Sequence, residues 1–263
     1  MKPRTEIVTA DWHIPFHDEI VEAIFFQVLK HNQYDVCRLL GDLCDCFAIS
    51  KFSKDTKRDK QADTEFAQLV NFLERIQKTN PKMRILWHEG NHEHRFDKLQ
   101  DRDFGMGRFL GKQTLYAAVM TLRDEEGVGI GKRKINLTYL PAKPPIYLSP
   151  DFFLAHGDPR MDGVSQSVWS GYSEKLTMDR RMMSGLMAHG HKIGMHWRDN
   201  KCIQSLGCAC QLDQGYNPGR GWQHALGFIV QDGTWIDSQV RPIIGQRLVL
   251  DGYVYTWNGR QKI

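Results

Sequence analysis

Five short clusters of polar residues stand out along the chain: Asp11-Trp12-His13, Gly41-Asp42, Gly90-Asn91-His92-Glu93, His156-Gly157 and His189-Gly190-His191. Carboxylate, imidazole and amide oxygen without thiolate form a mixed O/N donor set, which suits divalent metals such as Mn, Fe or Zn. Asp11, His13, Asp42, Asn91, His156, His189 and His191 offer seven ligands, too many for one tetrahedral ion but suited to two ions sharing a carboxylate. Two metals about 3.5–4 Å apart can hold a bridging hydroxide and clamp the oxygens of a phosphoryl group. Each motif alone is weak, because short motifs recur by chance. A single histidine is more often a core or surface residue, and His17, His31, His88, His94, His196 and His224 take that ordinary reading. Five motifs in order, each closing an apolar run, are a far more specific signal.

The runs that carry them read as strands: Glu6–Ala10, Val36–Leu40, Arg84–Trp87, Asp151–Ala155 and Gly185–Ala188. Helices are expected at Glu19–Lys30 and Thr64–Lys78, the second from Phe66, Leu69, Val70, Phe72, Leu73 and Ile76 at mostly helical spacing before Pro81. Strands alternating with such helices predict βαβ units and a largely parallel sheet with helices on both faces. Loops at the carboxyl ends of such strands converge on one crevice, and glycine beside a ligand lets the backbone turn sharply. Ile135–Leu140 reads as another strand, and Ser170–Met187 as a helix running into a buried strand. After Asn200 the pattern turns β-rich, with strands at Leu226–Val230, Thr234–Val240, Arg247–Leu250 and Tyr253–Trp257 and Asp-Gly turns at 232–233 and 251–252. Residues 97–133 read as an irregular insertion. No repeat or linker interrupts the chain, so a single domain over 1–263 is expected.

The 263 residues are 41% hydrophobic and 25% charged, which excludes disordered and collagen-like classes. No apolar run approaches the ~20 residues of a membrane helix. Met1-Lys2-Pro3-Arg4 leads into a strand and does not read as a signal peptide, so a cytoplasmic protein with no membrane partner is expected. Six cysteines then read as reduced thiols. Cys44-x-Cys46 and Cys208-x-Cys210 are spaced more tightly than the C-x₂₋₄-C of structural zinc sites, so they read as small buried hydrophobes. A net charge of +4 is too small to indicate nucleic-acid binding, and Lys132-Arg133-Lys134 reads as a solvated face.

The ordered set resembles the calcineurin-like metallophosphoesterases, whose pattern is D-x-H, G-D-x-x-D, G-N-H-[ED], a lone His and G-H-x-H. Here it stands as Asp11-Trp12-His13, Gly41-Asp42-Leu43-Cys44-Asp45, Gly90-Asn91-His92-Glu93, His156 and His189-Gly190-His191, within residues 6–195. Ala188 replaces the glycine that often precedes the first His of the last motif, a small change. Asp11-x-His13-x-Pro15-Phe16-His17-Asp18, Ser50-Lys51-Phe52 and Trp222-Gln223 also look like the subgroup common in bacteriophage genomes, which would place the protein in a host cytoplasm. The resemblance implies a two-sheet mixed β-sandwich flanked by helices, an α/β fold, and revises the sheet from largely parallel to mixed. It implies one metal on Asp11, His13, Asp42 and His191 and a second on Asp42, Asn91, His156 and His189, with Asp42 bridging. Two divalent ions are expected, Mn first, with Fe, Zn, Ni or Mg as alternatives.

Hydrolysis would then proceed by in-line attack of a metal-bridging hydroxide on phosphorus. His92 is placed as the general acid for the leaving oxygen, with Asp45 orienting its imidazole; the ordinary reading of Asp45 is a turn or cap residue. Asn91 is also placed on the substrate phosphate, and Arg95 either faces the pocket to pair with a phosphate or is a surface charge. The protein Ser/Thr phosphatases of the family usually carry Arg where this chain has Cys46, which counts against that branch. The expected activity is hydrolysis of a phosphodiester, in a nucleotide or nucleic acid. The alternatives are a phosphomonoesterase and a non-catalytic nucleic-acid-binding module.

Overall fold

The computed structural model describes residues 2–47, 62–95, 135–140, 145–157, 183–213 and 221–263. The expected insertion, the basic run at Lys132, Ser50-Lys51-Phe52 and the helix begun at Ser170 lie outside them.

Two mixed sheets face each other. In the first, β1 (Arg4–Thr9), β2 (Val36–Leu40), β3 (Arg84–His88) and β4 (Leu137–Leu140) run parallel, as βαβ alternation predicts. The other edge of β1 pairs antiparallel with β10 (Ala225–Asp232), which leads on through β11 (Trp235–Ile244), β12 (Arg247–Leu250), β13 (Tyr253–Thr256) and β14 (Gly259–Lys262). The second sheet has the order β5 (Ile146–Ser149), β6 (Phe152–Ala155), β7 (Ser184–Met187), β9 (Lys201–Leu206), β8 (Ile193–Arg198). Its centre, β6-β7-β9, is parallel, and its edges are antiparallel.

Strand alternation divides the core. Ile7, Cys37, Leu39, Ile85 and Trp87 point to one side of the first sheet, where they meet the two helices. Helix α1 (Glu19–His31) buries Val21, Ile24, Phe25, Val28 and Leu29 there, and its Asp18 cap accepts from the N–H groups of Ile20 and Val21. Helix α2 (Ala62–Thr79) adds Phe66, Leu69, Val70, Phe72, Leu73 and Ile76, all six of the residues expected from the spacing. On the opposite face Val8, Ala10, Leu40 and Ile229 pack against Phe152, Leu154, Leu186, Ala188 and Leu206 of the second sheet. Arg38 lies in this inner layer. Its Nε and Nη2 reach one Glu6 oxygen at 2.7 Å, and Nη1 donates to His88 Nε2 at 3.0 Å, so the buried cation is fully matched.

The hairpin turn at Asp251-Gly252 has φ of 49° and 77°, the all-positive pair a tight turn of this hand requires. At the other expected turn Asp232 still pairs with Trp235, so Gly233 and Thr234 make the bend. Among the described residues no helix is long and apolar enough to cross a membrane.

Candidate metal centre

All five clusters leave the same edge of the sandwich, just past the ends of β1, β2, β3, β6 and β7. The first two loops are laced together by backbone bonds: Asp11 N–H to the Gly41 carbonyl at 3.1 Å, His13 N–H to Asp42 at 3.0 Å and Ile14 N–H to Leu43 at 2.9 Å. Five site residues hold left-handed backbone: Asp11 (φ 52°), His13 (49°), Asp42 (49°), His189 (79°) and His191 (54°). Such strain persists only where the surroundings over-determine it, and it concentrates at functional sites. Gly41 (φ 82°) is required twice over, since a Cβ there would sit 2.3 Å from His156 Nδ1. At Gly90 a Cβ would lie 2.2 Å from both the Asp42 nitrogen and its Oδ1.

Asp42 is the hub. Its Oδ2 lies 3.2 Å from His156 Nε2, 3.7 Å from His92 Nε2 and 3.9 Å from His13 Nε2, and its Oδ1 accepts from the His92 N–H at 2.9 Å. Asp11 Oδ1 is 3.1 Å from His191 Nε2, and Oδ2 accepts from the His189 N–H. His13 Nε2 and His191 Nε2 face each other at 3.2 Å, and the Asn91 amide oxygen is 3.2 Å from His156 Nε2. Three groups have ligand atoms within 4.8 Å of one another: His13, Asp42 and His92; Asp42, His156 and His189; and His13, His191 and Cys210. Asp42 belongs to two of them, the position expected of a shared ligand.

The far nitrogens of two of these rings are anchored by oxygen acceptors. His13 Nδ1 donates to Asp45 Oδ1 at 2.8 Å, and His156 Nδ1 donates to the Leu40 carbonyl at 2.8 Å. Each bond fixes the tautomer that leaves an Nε2 lone pair pointing into the cluster, which is how metal-ligating imidazoles are held. Burial, and then His92, push His13 down to about 4, keeping that ring neutral. Burial works against the charged forms of His156 and His191 as well, but Asp42 and Asp11 beside them lift both to about 10. The imidazoles in turn outweigh burial at the carboxylates: His191 lowers Asp11, and His156 holds Asp42 well below the usual range. Two buried carboxylates thus draw positive charge to this point. Protons on two imidazoles meet the demand, and divalent cations would displace them.

All seven expected ligands therefore come together. His92 and Asp45 sit beside them, with a refinement. The Asp45 carboxylate is nearer to His13 than to His92 Nδ1, which it approaches at 3.3 Å, and His92 Nδ1 donates instead to the Asp45 carbonyl at 2.8 Å. Arg95 is half-buried at the site, its Nη2 donating to His92 Nε2 at 2.9 Å. The six histidines given ordinary readings stay outside the three groups. All six cysteines are buried free thiols.

Two buried carboxylates had no expected role. Glu93 accepts from the N–H groups of Asp42, Leu43, Cys44 and Gly90, at 3.1, 2.6, 3.1 and 2.8 Å, and so clamps the loop that presents Asp42. Glu65, on α2, accepts from the Phe47 N–H at the far end of that loop. The signal for Glu93 was its place in the third motif; Glu65 gave none beyond a charge on the buried stripe of a helix.

No family model matches the chain. The Gene 54 protein of Mycobacterium phage D29 is 25% identical over 95% of this chain and 97% of its own length. Among solved structures, vacuolar protein sorting 29 from Cryptosporidium parvum superposes with a TM-score of 0.51 at 10% identity, over 99% of this chain and 98% of that one. A Vps29 variant from Entamoeba histolytica gives 0.50 at 11% identity, over 98% and 99%. These likenesses show the fold alone: an α/β sandwich of two mixed sheets like that of vacuolar protein sorting 29.

Proposed function

We propose that the chain is a phosphoesterase that uses two divalent metal ions and acts on phosphodiesters of nucleotides or nucleic acid. The observation that carries this reading is the convergence of seven O/N donors from five strand ends, with the His13 and His156 rings locked in the ligating tautomer. The donor set fits the ions. Asp11, His13, Asp42 and His191 would hold one, and Asp42, Asn91, His156 and His189 the other. Such a pair, when bound, acidifies a water and polarises the phosphoryl group.

The protein's own groups supply the rest. Glu93 fixes the loop of Asp42, and Asp45 and Leu40 aim the rings of His13 and His156. His92 is the proton donor to the leaving oxygen: its Nδ1 is tied to the Asp45 carbonyl, which leaves Nε2 to face the reaction. Arg95 occupies that Nε2 now, and a substrate phosphate oxygen gives the guanidinium a stronger partner. Binding would thereby free Nε2, which carries no hydrogen while it accepts from Arg95, to take up from solvent the proton that it then donates.

The test is hydrolysis of a chromogenic phosphodiester and the matching monoester with Mn²⁺, wild type beside Asp42→Asn. Cleavage of the diester by wild type alone supports the reading. Preference for the monoester transfers the assignment to a phosphomonoesterase. Inert wild type with two ions bound would overturn catalysis on simple esters.

A further inference from the structure

The third ring at the centre has its own anchor, and it is a sulfur. Cys210 Sγ lies 3.8 Å from His191 Nδ1, within hydrogen-bond range for sulfur, while His191 Nε2 faces Asp11 and His13. The place of Cys210 matches that of Asp45 behind His13 and of the Leu40 carbonyl behind His156. The sulfur is held rigidly. Cys210 is fully buried, and its carbonyl accepts from His224 Nε2 at 2.8 Å. On either side Ala209 N–H donates to the Asp11 carbonyl at 3.2 Å, Asp18 N–H to Ala209 at 3.0 Å and Gln211 N–H to Phe16 at 3.0 Å. The segment that carries the thiol is thus bonded to the loop that carries Asp11. His191 is tied to the same region, because its carbonyl accepts from Gln223 N–H while the Gln223 carbonyl accepts from Cys208 N–H.

We infer that Cys210 is a positioning residue for metal binding: its Sγ accepts the Nδ1 hydrogen of His191 and so presents the Nε2 lone pair of that ring to the ion shared with Asp11 and His13. The inference rests on the two-ion reading above. It gives the Cys208-x-Cys210 motif a role that is neither a thiolate zinc site nor plain packing. Cys210 Sγ also lies within 4.8 Å of a His13 nitrogen, so the experiment must separate an outer partner of His191 from a thiolate ligand.

The experiment is metal titration of the full chain with Zn²⁺ against a chromophoric chelator, on wild type, Cys210→Ala, Cys210→Ser and, as a control on β9, Cys202→Ser. Loss of an outer partner of a ligating histidine costs about 10–100-fold in metal affinity. Cys210→Ala is expected to weaken one of the two equivalents by that factor, Cys210→Ser to recover most of it through its hydroxyl, and Cys202→Ser to leave both unchanged. Unfolding in EDTA guards against a fold defect, and the variants should melt close to wild type there. A second readout needs no variant: in Zn²⁺-loaded wild type labelled with ¹⁵N-histidine, His191 Nδ1 must carry the hydrogen. Undiminished affinity in Cys210→Ala, or a bare Nδ1, overturns the inference while leaving the two-ion reading intact. So does an intense sulfur-to-cobalt charge-transfer band in the Co²⁺ form that disappears in Cys210→Ala, since the thiolate would then be a ligand. Wild type that binds no Zn²⁺ sinks both.

Discussion

Gly41→Ala tests how tightly the site is built. Two costs fall on this one methyl group. The first is conformational: at φ 82° an alanine sits in the left-handed region, at about 1–2 kcal/mol. The second is steric: the new Cβ would lie 2.3 Å from His156 Nδ1 and 2.4 Å from the ring carbon beside it, so the imidazole must move and strain its bond to the Leu40 carbonyl. Overpacking of this kind adds about 1–3 kcal/mol. Gly252 provides the matched control, because it holds nearly the same φ, 77°, in an open hairpin turn with nothing within 4 Å of its Cβ. Urea denaturation in EDTA should therefore show Gly252→Ala destabilised by about 1–2 kcal/mol and Gly41→Ala by about 2–5 kcal/mol. Only Gly41→Ala should also lose metal affinity. Equal destabilisation of the two variants, with metal binding unchanged in both, would refute the claim that the ring and the turn are packed as one unit.

Three further outcomes follow from the geometry. Glu93→Ala removes the acceptor of four buried backbone donors, which at about 1 kcal/mol each predicts a loss of about 4 kcal/mol in urea; a loss under about 1 kcal/mol would deny the clamp. His92→Asn should lower kcat by about 10²–10⁴ with metal content unchanged, and loss of metal on dialysis would make His92 a ligand instead. Burial, and then Arg38, hold the His88 imidazole well below its ordinary value, so the native protein keeps it neutral while the unfolded chain protonates it below pH ~6.5. That part of the stability is complete above pH ~6.5 and is lost as the pH falls. The advantage of wild type over His88→Gln should shrink by up to about 1.4 kcal/mol per pH unit between pH 6 and 5, and parallel stability curves would contradict this.

The convergence of the five clusters was more legible in the chain than the sheets that carry them. The five motifs stand out because they gather residue types that suit divalent metals, and the apolar runs before them are largely buried, as in β2, where every residue is buried. Helix α2 was legible from its stripe. Strands β8 and β9 were not. Lys201–Leu206 reads Lys-Cys-Ile-Gln-Ser-Leu, neither apolar nor alternating, yet five of its six residues are buried, because Gln204 bonds across to Ser238 and Ser205 to the Lys192 carbonyl. Burial there is bought with long-range hydrogen bonds that no local pattern records. The short β5 and β14 were missed as well, and so was the antiparallel pairing of β1 with β10, which joins residues more than two hundred positions apart. Asp45 was expected to orient His92, but its carboxylate lies nearer to His13, since the loops of β1 and β2 close on each other before either meets the third.

That pairing of β1 with β10 bears on how the protein is made. On a ribosome β1 emerges first, and its outer edge stays unpaired until residues 225–232 have been synthesised. Until then the nascent chain carries an exposed strand edge, a template for pairing with other chains. The β2–β3 half of the sheet can form early, but His189 and His191 arrive shortly before the strand that seals the sheet. Metal capture by the full set of expected ligands would therefore wait until His191 has been synthesised. A ribosome stalled just before residue 225 would hold all seven expected ligands and still lack the strand that secures β1, which leads into Asp11 and His13.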